Sequence, residues 1–153
     1  MKVLVLCSSE KTYSEGLSSK ILNALFGNSS EEYDFYYIGV QLQRSGRKCS
    51  SAPQEMAIRC SHFFDSSKYD IIISENCPIK GSGTLYNSVF AGIIREYLKT
   101  GGYYVSYGNA RMKIQDAQSG EESLHSWLGS KFQIINETDI SRLGTFVVFE
   151  KTR

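Results

Sequence analysis

Lys2-Val3-Leu4-Val5-Leu6 is a short, unbroken apolar run, the pattern of a strand covered on both faces. Residues 7–16 that follow are polar and read as a loop. Leu17, Ile21, Leu22 and Leu25 then recur at helical spacing, and Gly27-Asn28 stops the helix. Residues 33–40, rich in aromatic and β-branched side chains, predict a second strand. Strand, crossover helix and strand make a parallel βαβ unit. Residues 41–52 carry Arg44, Arg47 and Lys48 among polar neighbours and read as a loop. Pro53 suits the first turn of a helix running to about Phe64, on which His62 reads as a surface or packing residue rather than a ligand.

The second half is the more informative. Asp70-Ile71-Ile72-Ile73-Ser74 is a buried strand that gives way to the polar stretch Glu75-Asn76-Cys77-Pro78. Residues 87–98 predict the strongest helix, with Val89, Phe90, Ile93, Ile94, Tyr97 and Leu98 in one apolar stripe and Arg95, Glu96 and Lys99 facing out. Gly101-Gly102 ends it, and residues 103–107 make a fourth strand. Residues 110–120 look irregular, and residues 121–128 predict a short helix with Leu124, Trp127 and Leu128 inward. Residues 132–135 and 145–150 alternate as strands, and their linker is too short for a crossover helix, so they pair antiparallel. The expected architecture is a three-layer α/β sandwich, its sheet mostly parallel with an antiparallel C-terminal β-hairpin. Ligands of such sheets lie beyond the carboxyl ends of the strands.

Composition narrows the function classes. The 153 residues suit a single domain spanning 1–153. A net charge of +1 supplies no basic field for nucleic acid. No apolar run is long enough to cross a bilayer, and the N-terminus lacks a signal-peptide pattern. Cys7, Cys49, Cys60 and Cys77 contain no Cys-x-x-Cys pair, and His62 and His125 are not at zinc-finger spacing from them, which argues against a metal site. Without a secretory signal, reduced thiols in a cytoplasmic protein are the expectation.

Three passages carry a resemblance. Tyr97-Leu98-Lys99-Thr100-Gly101-Gly102-Tyr103, the strand Asp70-Ile71-Ile72-Ile73, and the closing pair of strands resemble the class I S-adenosylmethionine-dependent methyltransferases, a Rossmann-like family. Thr100 stands where that family's Leu-Lys-Pro-Gly-Gly turn has proline. The loop Glu75-Asn76-Cys77-Pro78-Ile79 resembles the Asn-Pro-Pro-aromatic loop of amino-group methyltransferases, with Cys77 at the first proline and Ile79 at the aromatic. The resemblance implies S-adenosylmethionine as cofactor and a methyl acceptor that the sequence does not identify. It places Cys7, Ser8 and Ser9 beside the cofactor's amino-acid end and Gln41 near its ribose, and counts Ser74 among the cofactor contacts. It puts Glu75, Asn76 and Pro78 at the transfer site, with Asn76 accepting hydrogen bonds from a target amine and Glu75 able to take a proton.

The first half departs from the family. Its first loop is glycine-rich, so that backbone can approach the cofactor, whereas here the stretch is Cys7-Ser8-Ser9-Glu10-Lys11. Its second strand usually ends in an acid that grips the ribose, and here Gln41 follows Val40. One βα unit of the usual seven-stranded plan also looks missing. The resemblance therefore implies a reduced, divergent member, of a kind that large DNA viruses carry, and catalysis or cofactor binding lost in this chain stays open.

Other readings stand beside it. In a flavodoxin-like domain binding flavin mononucleotide, Ser8, Ser9, Thr12 and Ser14 would hold a phosphate at a helix N-terminus and Gly81-Ser82-Gly83-Thr84 would wrap the flavin. A non-enzymatic protein-interaction domain is a third reading. A cysteine phosphatase lacks its arginine, since none occurs between Cys7 and Arg44, and no Gly-x-Ser-x-Gly elbow marks a serine hydrolase.

Overall fold

A computed structural model of the chain describes residues 1–10, 13, 15–27, 32–39, 42, 47–52, 55–64, 68–75, 84–108, 128–140 and 144–152. In chain order the elements are β1 (Lys2–Ser8), α1 (Leu17–Phe26), β2 (Asp34–Gly39), β3 (Lys48–Ser50), α2 (Met56–Arg59), a 3-10 turn (Ser61–Phe63), β4 (Tyr69–Glu75), α3 (Thr84–Tyr97), β5 (Leu98–Gly108), β6 (Phe132–Ile140) and β7 (Gly144–Lys151). The strands form a seven-stranded sheet in the order β3-β2-β1-β4-β5-β7-β6. Pairs from β3 to β5 are parallel, and β7 runs antiparallel to both β5 and β6.

Period-two alternation sends each buried strand's side chains to both faces. Val3 and Val5 of β1, Ile71 and Ile73 of β4, Val105 of β5, and Phe146 and Val148 of β7 pack with Leu17, Ile21 and Leu22 of α1. Leu4, Leu6, Tyr69, Ile72, Tyr104, Val147 and Phe149 pack on the other face with Met56 of α2 and with Phe90, Ala91, Ile93 and Ile94 of α3. Both faces are thus covered, which is why these strands are written as unbroken apolar runs. Each fully buried Leu, Ile or Phe contributes roughly 1.5–3 kcal/mol.

Several expectations need correction. The sheet has all seven strands, so no strand of the plan is missing from it. The strand overlooked is β3, which lies inside the stretch read as loop. It is three residues long, Lys48-Cys49-Ser50, carries no apolar pattern and is defined only by its pairing with β2. Of the helix expected from Pro53 to about Phe64, the described residues show Met56–Arg59 and the 3-10 turn Ser61–Phe63, parted at Cys60, while Pro53 itself lies outside the described residues.

The glycine pair does not separate α3 from its strand. Leu98 already pairs with Tyr69, the next pair is Ile71 with Tyr103, and residues 99–102 bulge between them. Gly101 takes φ 82°, and a Cβ on Gly102 would come within 2.7 Å of the Asp70 carbonyl oxygen. Each glycine is therefore required, one for its dihedral and one for close approach. The helix expected over residues 121–128 lies outside the described residues except for Leu128, which is buried.

The thiols also differ from expectation. Cys49 and Cys60 form a disulfide, with Cα atoms 5.9 Å apart. Cys7 is disulfide-bonded too, and no free thiol remains among the described residues. The pairing of β3 with β2 turns Cys49 toward the α2 face, where Cys60 is fully buried. Contact across the fold joins these cysteines, and a separation of 11 residues in sequence gives no hint of it. No helix among the described residues is long and apolar enough to cross a membrane. His62 is exposed and its ring lies edge-on to Phe63.

Candidate functional site

The strand order reverses at β1, which has β2 on one side and β4 on the other. The connection leaving β1 passes over one face through α1, and the one entering β4 passes over the other through α2. Connections that part to opposite faces leave a crevice between the carboxyl ends of β1 and β4. Ser8 and Glu75 end those two strands.

At the β1 tip the register slips between Leu6 and Ser8, and Cys7 takes φ 60°. The slip buries Ser8, which is 3% exposed, and Ser9 beyond it is exposed. The β2 tip comes in close. An added Cβ on Gly39 would sit 1.8 Å from the Ser8 carbonyl oxygen, so no side chain fits between the two tips. The Gly39 carbonyl also accepts a hydrogen bond from the Ser51 amide at 3.0 Å, which seats the chain leaving β3.

At the β4 tip alternation splits two neighbours. Ser74 turns to the α3 face, where its hydroxyl and that of Tyr104 share a short hydrogen bond. Burial pushes the Tyr104 phenol up to about 12, against the opposing pull of the Ser74 and Ser106 hydroxyls. The Ser106 side chain is itself fully buried. Glu75 lies one residue on, is 2% exposed and pairs in register with Tyr107.

Two phenols register the Glu75 charge. Burial raises the Tyr37 pKa most, its bond to Ser18 opposes that, and the charges of Glu75 and Tyr13 raise it further. Burial and then Glu75 raise that of Tyr107. A carboxylate close to both phenols disfavours a second negative charge. The Tyr37 hydroxyl is 2.9 Å from Ser18 Oγ on α1, which fixes the ring beneath the start of that helix. Tyr13 meets Tyr37 edge-on at 4.8 Å, and the Lys48 ammonium lies 3.6 Å from the centre of the Tyr13 ring.

The fold therefore gathers five of the expected site residues, Cys7, Ser8, Ser9, Ser74 and Glu75, at two neighbouring tips. The Ser74 hydroxyl is engaged inside the core. Gln41, Asn76 and Pro78 lie outside the described residues, as do Thr12, Ser14 and residues 81–83 of the flavin reading. Tyr13, Tyr37, Lys48 and Tyr107 were not foreseen at the site. A period-two reading of β2 places Tyr37 on the face of Phe35 and Tyr33, but nothing local marks Lys48. Among the described residues no group of three or more His, Cys, Asp or Glu side chains could hold a metal ion.

No protein-family model matches the sequence, and no curated protein does. Solved structures do match the fold. The chain superposes on the N-methyltransferase NodS from Bradyrhizobium japonicum with a TM-score of 0.61 at 10% identity, over 99% of this chain and 86% of that one. For a TehB-like SAM-dependent methyltransferase from Corynebacterium glutamicum the score is 0.57 at 12% identity, over 99% and 80%. For a SAM-dependent methyltransferase from Methanosarcina mazei it is 0.53 at 11% identity, over 99% and 92%. At such identities the likeness is one of architecture, and this chain has the class I S-adenosylmethionine-dependent methyltransferase fold.

Proposed function

We propose that the chain is an S-adenosylmethionine-dependent methyltransferase-like protein whose cofactor lies across the tips of β1, β2 and β4. The observation that carries this reading is the reversal of strand order at β1, the place where such sheets take their ligands beyond the strands' carboxyl ends, with the buried carboxylate of Glu75 ending β4. S-Adenosylmethionine carries a sulfonium and an ammonium group, and Glu75 supplies a negative charge on the α1 side of that place. The charge of the described residues thus fits the cationic part of the cofactor. Ser8 and Ser9 offer amides and hydroxyls where a glycine-rich loop would offer backbone alone, and Cys7 fixes the tip from which they project. Gln41 would bond the ribose.

When bound, the sulfonium provides an already activated methyl group. The chain's own part is alignment and control of a proton. Asn76 would accept hydrogen bonds from the acceptor, Pro78 would hold the loop, and Glu75 would take a proton from an acceptor that must lose one. Glu75 is a buried carboxylate, 2% exposed.

Calorimetric titration with S-adenosylmethionine and S-adenosylhomocysteine tests the assignment. The native protein is expected to bind both, with affinity weakened in Gln41→Ala, and Glu75→Gln is expected to weaken the first ligand more than the second, which lacks the sulfonium. Silence toward both ligands in a folded sample would refute the reading in favour of an interaction domain. Flavin absorbance in the purified protein would refute it in favour of a flavodoxin-like one.

A further inference from the structure

We infer that Lys48 is a positioning residue that clamps the turn between β1 and α1 onto the tip of β2. Its predicted effect on cofactor affinity rests on the function proposed above, whereas its effect on the turn does not. Register pairs Lys48 with Tyr37 and so sets its side chain on the α1 face. Although β3 is an edge strand, that side chain is only 5% exposed. The ammonium lies 3.6 Å from the centre of the Tyr13 ring and 3.8 Å from Glu10 Oε1. Both partners belong to the turn. An ammonium removed from water needs a carboxylate or an aromatic face to replace hydration, and this one has both.

Each end of the clamp is anchored. On the sheet side, Cys49 next to Lys48 is tied to Cys60, and the Ser51 amide bonds Gly39. On the turn side, the Tyr13 amide donates to the Ser9 carbonyl at 2.9 Å and the Gly16 amide to the Tyr13 carbonyl at 3.1 Å. Tyr13 in turn rests edge-on against Tyr37, whose hydroxyl is held by Ser18. Displacing the ammonium therefore frees Tyr13, and with it the segment carrying Ser9.

Amide hydrogen exchange across residues 9–16 reads the clamp directly. In Lys48→Met, which keeps the stem and removes the charge, these amides are expected to exchange on the order of tenfold faster, the scale of one desolvated cation–aromatic contact. The β4 amides should be unchanged, and Lys48→Arg should restore the native pattern. Tyr13→Leu removes the ring while leaving Lys48, and is expected to loosen the same amides. Native exchange in this turn in both Lys48→Met and Tyr13→Leu would overturn the inference, as would an equal loss of protection everywhere. Calorimetry with S-adenosylmethionine supplies the second readout, with affinity falling about tenfold in Lys48→Met and recovering in Lys48→Arg. A native protein silent toward the ligand, with a turn that still loosens in Lys48→Met, would sink the proposed function and leave the clamp standing.

Discussion

Gly39→Ala tests how closely the first two parallel strands meet at their tips. The added methyl group would lie 1.8 Å from the Ser8 carbonyl oxygen and 2.8 Å from its carbon, where ordinary contact begins at 3.4 Å. Both obstacles are backbone, so no rotamer change relieves them. The tip of β2 must draw back from β1 by more than an ångström. That breaks the pairing of Ser8 with Gly39 and strains the 3.0 Å bond from the Ser51 amide to the Gly39 carbonyl. Two or three backbone hydrogen bonds at roughly 1 kcal/mol each are lost. Looser packing around the fully buried Ile38 adds about 1–2 kcal/mol. The expected loss is about 3–5 kcal/mol, in the upper tail for a single substitution, and for a chain of this length it lowers Tm by roughly 10 °C. Urea unfolding followed by tyrosine fluorescence measures it. Gly101→Ala is the comparator. It has open space around its Cβ but φ 82°, so it should lose only the dihedral cost of about 1–2 kcal/mol. A Gly39→Ala protein within 1 kcal/mol of the native one would refute the close approach.

Asp70 accepts hydrogen bonds from the Lys2 amide at 2.8 Å and the Lys99 ammonium at 3.0 Å. Burial alone would raise its pKa, but that amide and the Lys99 charge outweigh burial and lower it. With the folded pKa below the unfolded one, the stabilisation is complete above about pH 4 and is lost as pH falls through the folded pKa. Asp70→Asn is expected to cost about 1 kcal/mol at pH 7 and nothing near pH 2, and a gap independent of pH would count against this account. Replacing Cys49 and Cys60 together by serine opens a closure of 11 residues and should lower stability by about 3 kcal/mol; unchanged urea midpoints would show that the bond stabilises nothing. Tyr104 has a folded pKa raised to about 12, so the stability it confers is full below about pH 10 and fades as pH rises toward that value. Ultraviolet titration should show one phenol fewer ionising below about pH 11 in the native protein than in Tyr104→Phe plus one, and equal counts after that correction would place Tyr104 nearer water. Tyr104→Phe itself should cost about 1–2 kcal/mol by stranding the Ser74 hydroxyl, and Ser74→Ala in the same chain should recover part of the loss.

How much of this protein is legible in its sequence follows from how local each feature is. β1, β4, α1 and α3 are written as apolar runs and stripes, because burial on two faces or on one helical face imposes its own period. The antiparallel closing pair is legible because the short connection between β6 and β7 admits no crossover. Even the tips of β1 and β4 can be read, since each apolar run gives way there to a polar stretch. Lys48-Cys49-Ser50 carries no period at all and becomes a strand only because β2 offers it an edge. The bulge at residues 99–102 arises because Leu98 keeps its place beside Tyr69 while the strand resumes at Tyr103. The disulfide, the Lys48 ammonium over Tyr13, and the nearness of Glu75 to Tyr37 and Tyr107 join residues between 11 and 38 positions apart. Sheet order brings such residues together, and sheet order is chosen by the free energy of the whole packed layer, which no short window of sequence contains.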